Sequence, residues 1–153
     1  MALLRATKAK SREGSVSDQT ESHKALIRAH YEATINHFDP AKIDAQVAPD
    51  FVDHGSPGEA VRGPTGVKSQ IASLHAAFPD LHVVVVDMIA EGDRVAVRSR
   101  FRGTHRGPFR GITPTGARID VTGTFFWAIE RGRIKERWGL LDTQCLLRQL
   151  GVP

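Results

Sequence analysis

The order of hydrophobic patterns predicts an α+β fold, and three observations carry that prediction. Apolar residues recur at helical spacing up to Phe78, Pro79 interrupts the pattern, and beyond it the chain reads as strands separated by Gly and Asp turns. Helices gathered ahead of sequential strands give a mostly antiparallel meander rather than an alternating α/β layout. The expected architecture is a cone-shaped α+β barrel. Three N-terminal helices pack on a curved sheet, a short helix ends the chain, and one apolar pocket is enclosed between the layers.

Each element has its own signal. Asp18 and Glu21 have capping-box spacing ahead of a first helix. Its apolar stripe is Leu26, Ile27, His30, Tyr31, Thr34, Ile35 and Phe38. Asp39-Pro40 opens a second short helix that reaches Val47, with Asp39 as cap and proline in the first turn. Phe51-Val52-Asp53-His54 is a short extended piece closed by Gly55 to Gly58. Pro64 begins a third helix with Val67, Ile71, Leu74, His75 and Phe78 facing inward, and Pro79 stops it.

The strands follow. Leu81 to Glu91 turns at Gly92-Asp93 into Arg94 to Thr104, and a Gly- and Pro-rich loop runs from Gly107 to Gly116. Arg118 to Glu130 and Arg133 to Leu141 form a hairpin around Gly132, and Thr143 to Leu150 is the last helix. The run Val83 to Val86 does not alternate with polar residues. That predicts cover on both faces: helices on one, and another chain or the C-terminal helix on the other. A homodimer or homotetramer pairing sheet to sheet is expected. Arg98, Arg100 and Arg102 take one phase of their strand and are expected on a solvated or intersubunit face.

Composition narrows the function classes. The 153 residues make one domain, expected over residues 17–153 behind a flexible arm at 1–16. That arm reads as a cloning remnant or a short targeting tail. The net charge of +4 suggests nucleic acid at first sight. However, Arg5, Lys8, Lys10 and Arg12 against Glu13 lie in the arm, leaving 17 Lys and Arg against 16 Asp and Glu in the body. A near-neutral body offers little electrostatic footprint for a phosphate backbone. No apolar run approaches the ~20 residues of a membrane span, and a cytoplasmic location is the default. The single cysteine, Cys145, excludes an internal disulfide or a Cys-based zinc site. His23, His30 and His37 recur every seven residues, about 10 Å apart along a helix, too far to share a metal. Neither a phosphate loop nor a nucleophile elbow is present. No metal, flavin, nicotinamide or other cofactor is expected.

Asp142 stands at the end of the last strand-like run, one residue before the final helix. Without a bulge, Ile134, Glu136, Trp138, Leu140 and Asp142 share one face. Two carboxylates beside Trp and Leu need a partner or a raised pKa if they are buried, which makes Asp142 a candidate acid or base. The alternative is that Asp142 simply caps the helix and that Glu136 pairs with an arginine across the sheet. His54, at the end of an extended apolar segment, and His105, in phase with Val95, Val97, Ser99, Phe101 and Gly103, could each reach a pocket or be bonded to backbone. Tyr31 and Trp138 read either as core or as a platform for a flat ligand.

Three segments carry a family resemblance. They are Phe51-x-Asp53-His54 followed by Gly63-Pro64-x-Gly66; Gly103-Thr104-His105-Arg106-Gly107-x-Phe109-x-Gly111-Ile112-x-Pro114-Thr115-Gly116; and Glu136-x-Trp138-x-x-x-Asp142-x-x-x-Leu146-Leu147-x-Gln149-Leu150-Gly151. Together, over about Lys24 to Val152, the chain resembles the SnoaL-like polyketide cyclases. These belong to the α+β cones that include ketosteroid isomerase, scytalone dehydratase and limonene epoxide hydrolase. The resemblance implies Asp142 as general acid/base, with His54 and His105 as substrate contacts beside Trp138, Phe51, Tyr31 and Glu136. It implies a cofactor-free intramolecular aldol ring closure on a hydrophobic aromatic polyketide ester. A cofactor-independent hydroxylase, an epoxide hydrolase using Asp142 to activate water, and a non-catalytic binder of hydrophobic molecules are the open alternatives.

Overall fold

The computed structural model describes residues 2–55 and 60–152, with side chains from Val16 onward. The fold is the expected α+β arrangement of helices on one curved, unclosed sheet. Helix α1 covers Ala2–Tyr31, and its last turn widens into a π segment, Glu32–Asn36. Asp18 therefore lies inside α1 and does not start it. Of the expected N-terminal arm, residues 1–16, the side chains of 1–15 lie outside the described residues. Helix α2, Pro40–Gln46, begins as read, with the Asp39 carboxylate accepting from Lys42 N. Strands β1 (Val47–Asp53) and β2 (Val61–Arg62) flank α3, Gly63–Ala77. The meander is β3 (His82–Glu91), β4 (Arg94–Thr104), β5 (Arg118–Glu130) and β6 (Arg133–Leu141), followed by α4, Thr143–Gln149.

The strand order is β2-β1-β6-β5-β4-β3, antiparallel except where β1 runs parallel to β6. The β5–β6 hairpin turns on Arg131 and Gly132, both at positive φ, as a two-residue type I′ turn requires. The helices dock through polar contacts as well as apolar ones. His23 Nδ1 meets Gly92 O at 3.0 Å on the β3–β4 turn, and the Asn36 amide pairs with the backbone N–H and C=O of Val83 on edge strand β3. The core lies between the helices and the concave face. Ile27, Ile43, Val47, Val95 and Ile134 are its most buried large apolar members, and burying such side chains contributes about 1.5–3 kcal/mol each. Among the described residues, no helix is long and apolar enough to cross a membrane.

Two bulges redirect side chains. In β3, Val85 pairs with Ser99 and Asp87 with Arg98, leaving Val86 as an extra residue. Val83 is buried, whereas Val84 and Val86 are each 47% exposed within the chain. The C-terminal helix does not cover them, because α4 packs on β5. In β6, Ile129 pairs with Ile134 while Ala128 pairs with Glu136, so Lys135 is the extra residue. The shared face expected for Ile134, Glu136, Trp138, Leu140 and Asp142 is broken at that point. Ile134 is fully buried on the concave side, Leu140 is 82% exposed on the convex side, and Arg137, Gly139 and Leu141 turn inward instead.

Candidate active site

A cavity of about 180 Å³ lies between the helices and the concave face. A cavity of about 150 Å³ holds one benzene ring, so the enclosed part fits a guest of one or two rings. Each layer contributes to the wall. Helix α1 and the π segment supply His30, Tyr31, Thr34 and Ile35; α3 supplies Val67, Gln70, Ile71 and Leu74; β1 supplies Phe51 and Asp53. The sheet adds Phe101, Ile119, Val121, Phe125, Trp127 and Arg137, and the loop after β4 adds Phe109 and Arg110. The Phe125 ring lies across Gly123 and Gly139, and a Cβ on either glycine would collide with it. Glycine at 139 is therefore what lets an aromatic wall stand flat against β6.

The polar groups gather at one end. Arg137 Nη1 donates to Asp53 Oδ2 at 2.8 Å, and Asp53 Oδ1 accepts from Gly55 N at 2.9 Å. Asp53 is 1% exposed. The Arg137 guanidinium stands 4.7 Å from the Phe125 ring centre and 5.5 Å from that of Trp127, a cation–π clamp. His30 Nδ1 lies 3.1 Å from Gln46 Oε1, and its ring meets Trp127 edge-on at 5.4 Å. Burial lowers the His30 pKa to about 4 against the pull of the Gln46 hydrogen bond, and the charge of Arg137 assists. The imidazole is thus neutral near neutral pH. Burial also raises the pKa of the Tyr31 phenol above its usual value, opposed by nearby Ser99, Arg137 and Trp127 in that order.

The residues singled out from sequence divide three ways. Phe51 and Tyr31 line the cavity. His54, Glu136 and Trp138 do not. They form a cluster on the convex face, with His54 Nε2 2.8 Å from Glu136 Oε2 and the His54 ring stacked 4.8 Å from Trp138. Glu136 pairs with this histidine, not with an arginine. His105 is fully buried but sits behind the wall. Its Nδ1 meets Thr115 Oγ1 at 3.0 Å, and its ring packs 5.3 Å from Phe78. Asp142 is exposed, caps α4 by accepting from Cys145 N at 2.9 Å, and is not among the lining residues. Its register is set by Asp142 N donating to Thr122 O at 3.0 Å. The sequence reading missed the Asp53–Arg137 pair. Alternation from the apolar Phe51 would have placed Asp53 on the same face, whereas Arg137 was hidden by the bulge at Lys135.

The sequence model of the SnoaL-like polyketide cyclase family matches residues 25–150. Among solved structures, TsrD from Streptomyces laurentii is 29% identical, with TM-score 0.79 over 87% of this chain and 97% of that one. IdmH from Streptomyces antibioticus, a candidate polyketide cyclase, is 33% identical, with TM-score 0.74 over 85% of this chain and 99% of that one. AclR from Streptomyces galilaeus, a candidate hydroxylase, is 30% identical, with TM-score 0.75 over 86% and 82%. Curated proteins give no match.

Proposed function

The chain belongs to the SnoaL-like polyketide cyclase family, and on that premise we propose that it closes a carbon ring on a flat polyketide-like substrate by cofactor-free acid–base chemistry in this cavity. One observation supports the reading most: among the described residues lining the largely aromatic and aliphatic cavity, Asp53 is the only carboxylate. Its carboxylate would take a proton from a carbon flanked by two carbonyls. The resulting enolate would attack a ketone of the same molecule, forming the new carbon–carbon bond, and the alkoxide would recover the proton from Asp53. Substrate and product have the same mass. Phe51, Phe125 and Trp127 would hold the rings and keep water from the enolate. Neutral His30 does not compete as an acid near pH 7.

The family resemblance assigns the acid/base role to Asp142, and two substitutions separate the candidates. Asparagine caps a helix about as well as aspartate, so Asp142→Asn should not unfold the protein; at Asp53 asparagine still accepts from Arg137 but loses the paired charge, so its turnover is measured below its own melting temperature. With β-keto aromatic esters as substrates and product mass as the readout, Asp53→Asn is expected to lower turnover at least about 100-fold, while Asp142→Asn retains it. Loss of turnover in Asp142→Asn at unchanged melting temperature, with Asp53→Asn still active, would transfer the role to Asp142. The likeness to AclR favours one second reading, a hydroxylase on the same site. A product heavier by one oxygen atom would select it.

A further inference from the structure

Five buried side-chain polar atoms among the described residues have no hydrogen-bond partner, and four of them belong to one neighbourhood beside the cavity: Tyr31 Oη, Ser99 Oγ, Trp127 Nε1 and Arg137 Nε. The Tyr31 and Trp127 ring centres are 5.9 Å apart and nearly perpendicular, and the Arg137 guanidinium lies 5.5 Å from the Trp127 ring. Ser99 Oγ and Trp127 Nε1 approach Tyr31 Oη closely enough to oppose the rise in its pKa, but none of these contacts reaches full hydrogen-bond geometry. Tyr31, Trp127 and Arg137 all line the cavity, and Tyr31 and Trp127 are 5% and 4% exposed. The fifth atom, His105 Nε2, lies apart, with its ring against Phe78.

The chemistry of the four leans toward donation, although each hydroxyl can also accept. An indole N–H and a guanidinium N–H can only donate, and two hydroxyls can donate. Buried donors without acceptors are destabilising, so each asks for a reason. The local charge is nearly balanced, because Arg137 Nη1 is already engaged by Asp53. A donor cluster beside a balanced ion pair suits an oxygen that arrives neutral and becomes negative during reaction.

We propose that Tyr31, Trp127 and Arg137, with Ser99 behind the Tyr31 hydroxyl, form an oxyanion subsite that holds the substrate's reacting carbonyl oxygen and stabilises it as the enolate. The substrate class is thereby narrowed to one with an enolisable carbonyl at the buried end of a planar apolar body. This rests on the acid–base reading above, with the substrate carbon facing Asp53 and the oxygen facing the donors.

The test uses binding, so it stands or falls separately from turnover. The probes are 4-nitrophenol, whose phenolate mimics an enolate, and 4-nitrotoluene, its near-isostere without the oxygen. The Trp127 indole N–H resonance and the phenolate absorbance are followed near pH 8. The phenol is expected to bind about tenfold tighter than the toluene, to bind as phenolate, and to move the Trp127 resonance while leaving that of Trp138 in place. Tyr31→Phe should cost the phenolate about fivefold or more in affinity, leave the toluene unchanged, and shift the melting temperature little, because it removes a hydroxyl that makes no full hydrogen bond. Equal affinity for the two probes, a stationary Trp127 resonance, or equal weakening of both probes by Tyr31→Phe would overturn the subsite.

Discussion

Asp53 and His54 are neighbours in sequence, as are Glu136, Arg137 and Trp138, yet these two short stretches build two different environments on opposite sides of the same strands. On the concave side Asp53 and Arg137 meet at 2.8 Å, with the carboxylate almost wholly buried and aromatic rings around the guanidinium. On the convex side His54 and Glu136 also meet at 2.8 Å, but their side chains keep 38% and 34% of their exposure. The partner chemistry is similar and the distances are the same. Water separates them: a buried charge that loses its partner cannot be rescued by solvent, and a half-exposed one can.

Removing the inner partner is the largest way to break this contrast. Arg137→Ala strands the Asp53 carboxylate and strips the clamp from Phe125 and Trp127. Unfolding by urea should show a loss of about 3–5 kcal/mol. A loss below about 1 kcal/mol would mean that water reaches Asp53 freely and that the two sides are alike.

The next effect is on pH. His30 titrates near 4 when folded against 6.5 for the free side chain. Between those values the unfolded chain binds more protons at this position, so stability falls as pH drops from about 6.5 toward 4. Integrated over that window the effect is of the order of 3 kcal/mol. Stability of the wild type and of His30→Gln, compared at pH 6.5 and pH 5 to stay above most carboxylate titration, should show a steeper decline in the wild type. Parallel curves would mean that His30 is solvated, and the inner side would lose its dry character.

How much of this was legible in the sequence follows from the same strands. The element order was readable because each signal is local: Pro79 ending α3, Asp39 capping α2, Gly132 in a turn that needs positive φ. Part of the apolar lining was readable too, since Tyr31 falls on the apolar stripe of the first helix and Phe51 on a short extended segment. The polar end was not. Lys135 carries no composition signal for a bulge, and one extra residue swaps every later side chain of β6 to the other face. That swap sent Glu136 and Trp138 out and Arg137 in. His54 was misplaced for a simpler reason: it follows Asp53, and alternation sends the two apart. Asp142 fits a capping pattern better than a catalytic one from local sequence, and only the family resemblance turns that order round; the structure shows it exposed and capping α4.

The smallest effect sharpens the contrast from the outer side. Glu136→Gln leaves a group of the same shape that can still accept from His54 Nε2, and removes only the charge. The pair is exposed by about a third, so the change should cost no more than about 1 kcal/mol and should shrink further in high salt, where exposed charges are screened over about 10 Å or less. His54 would remain stacked on Trp138, which the Arg94 guanidinium caps at 5.1 Å. Turnover should not change, because none of these groups lines the cavity. A salt-independent loss above about 2 kcal/mol would show that the convex pair is as dry as the concave one. A loss of turnover at full stability would show that the convex cluster acts through β1, where His54 N donates to Arg137 O at 2.8 Å and so links the outer histidine to the backbone of the inner arginine.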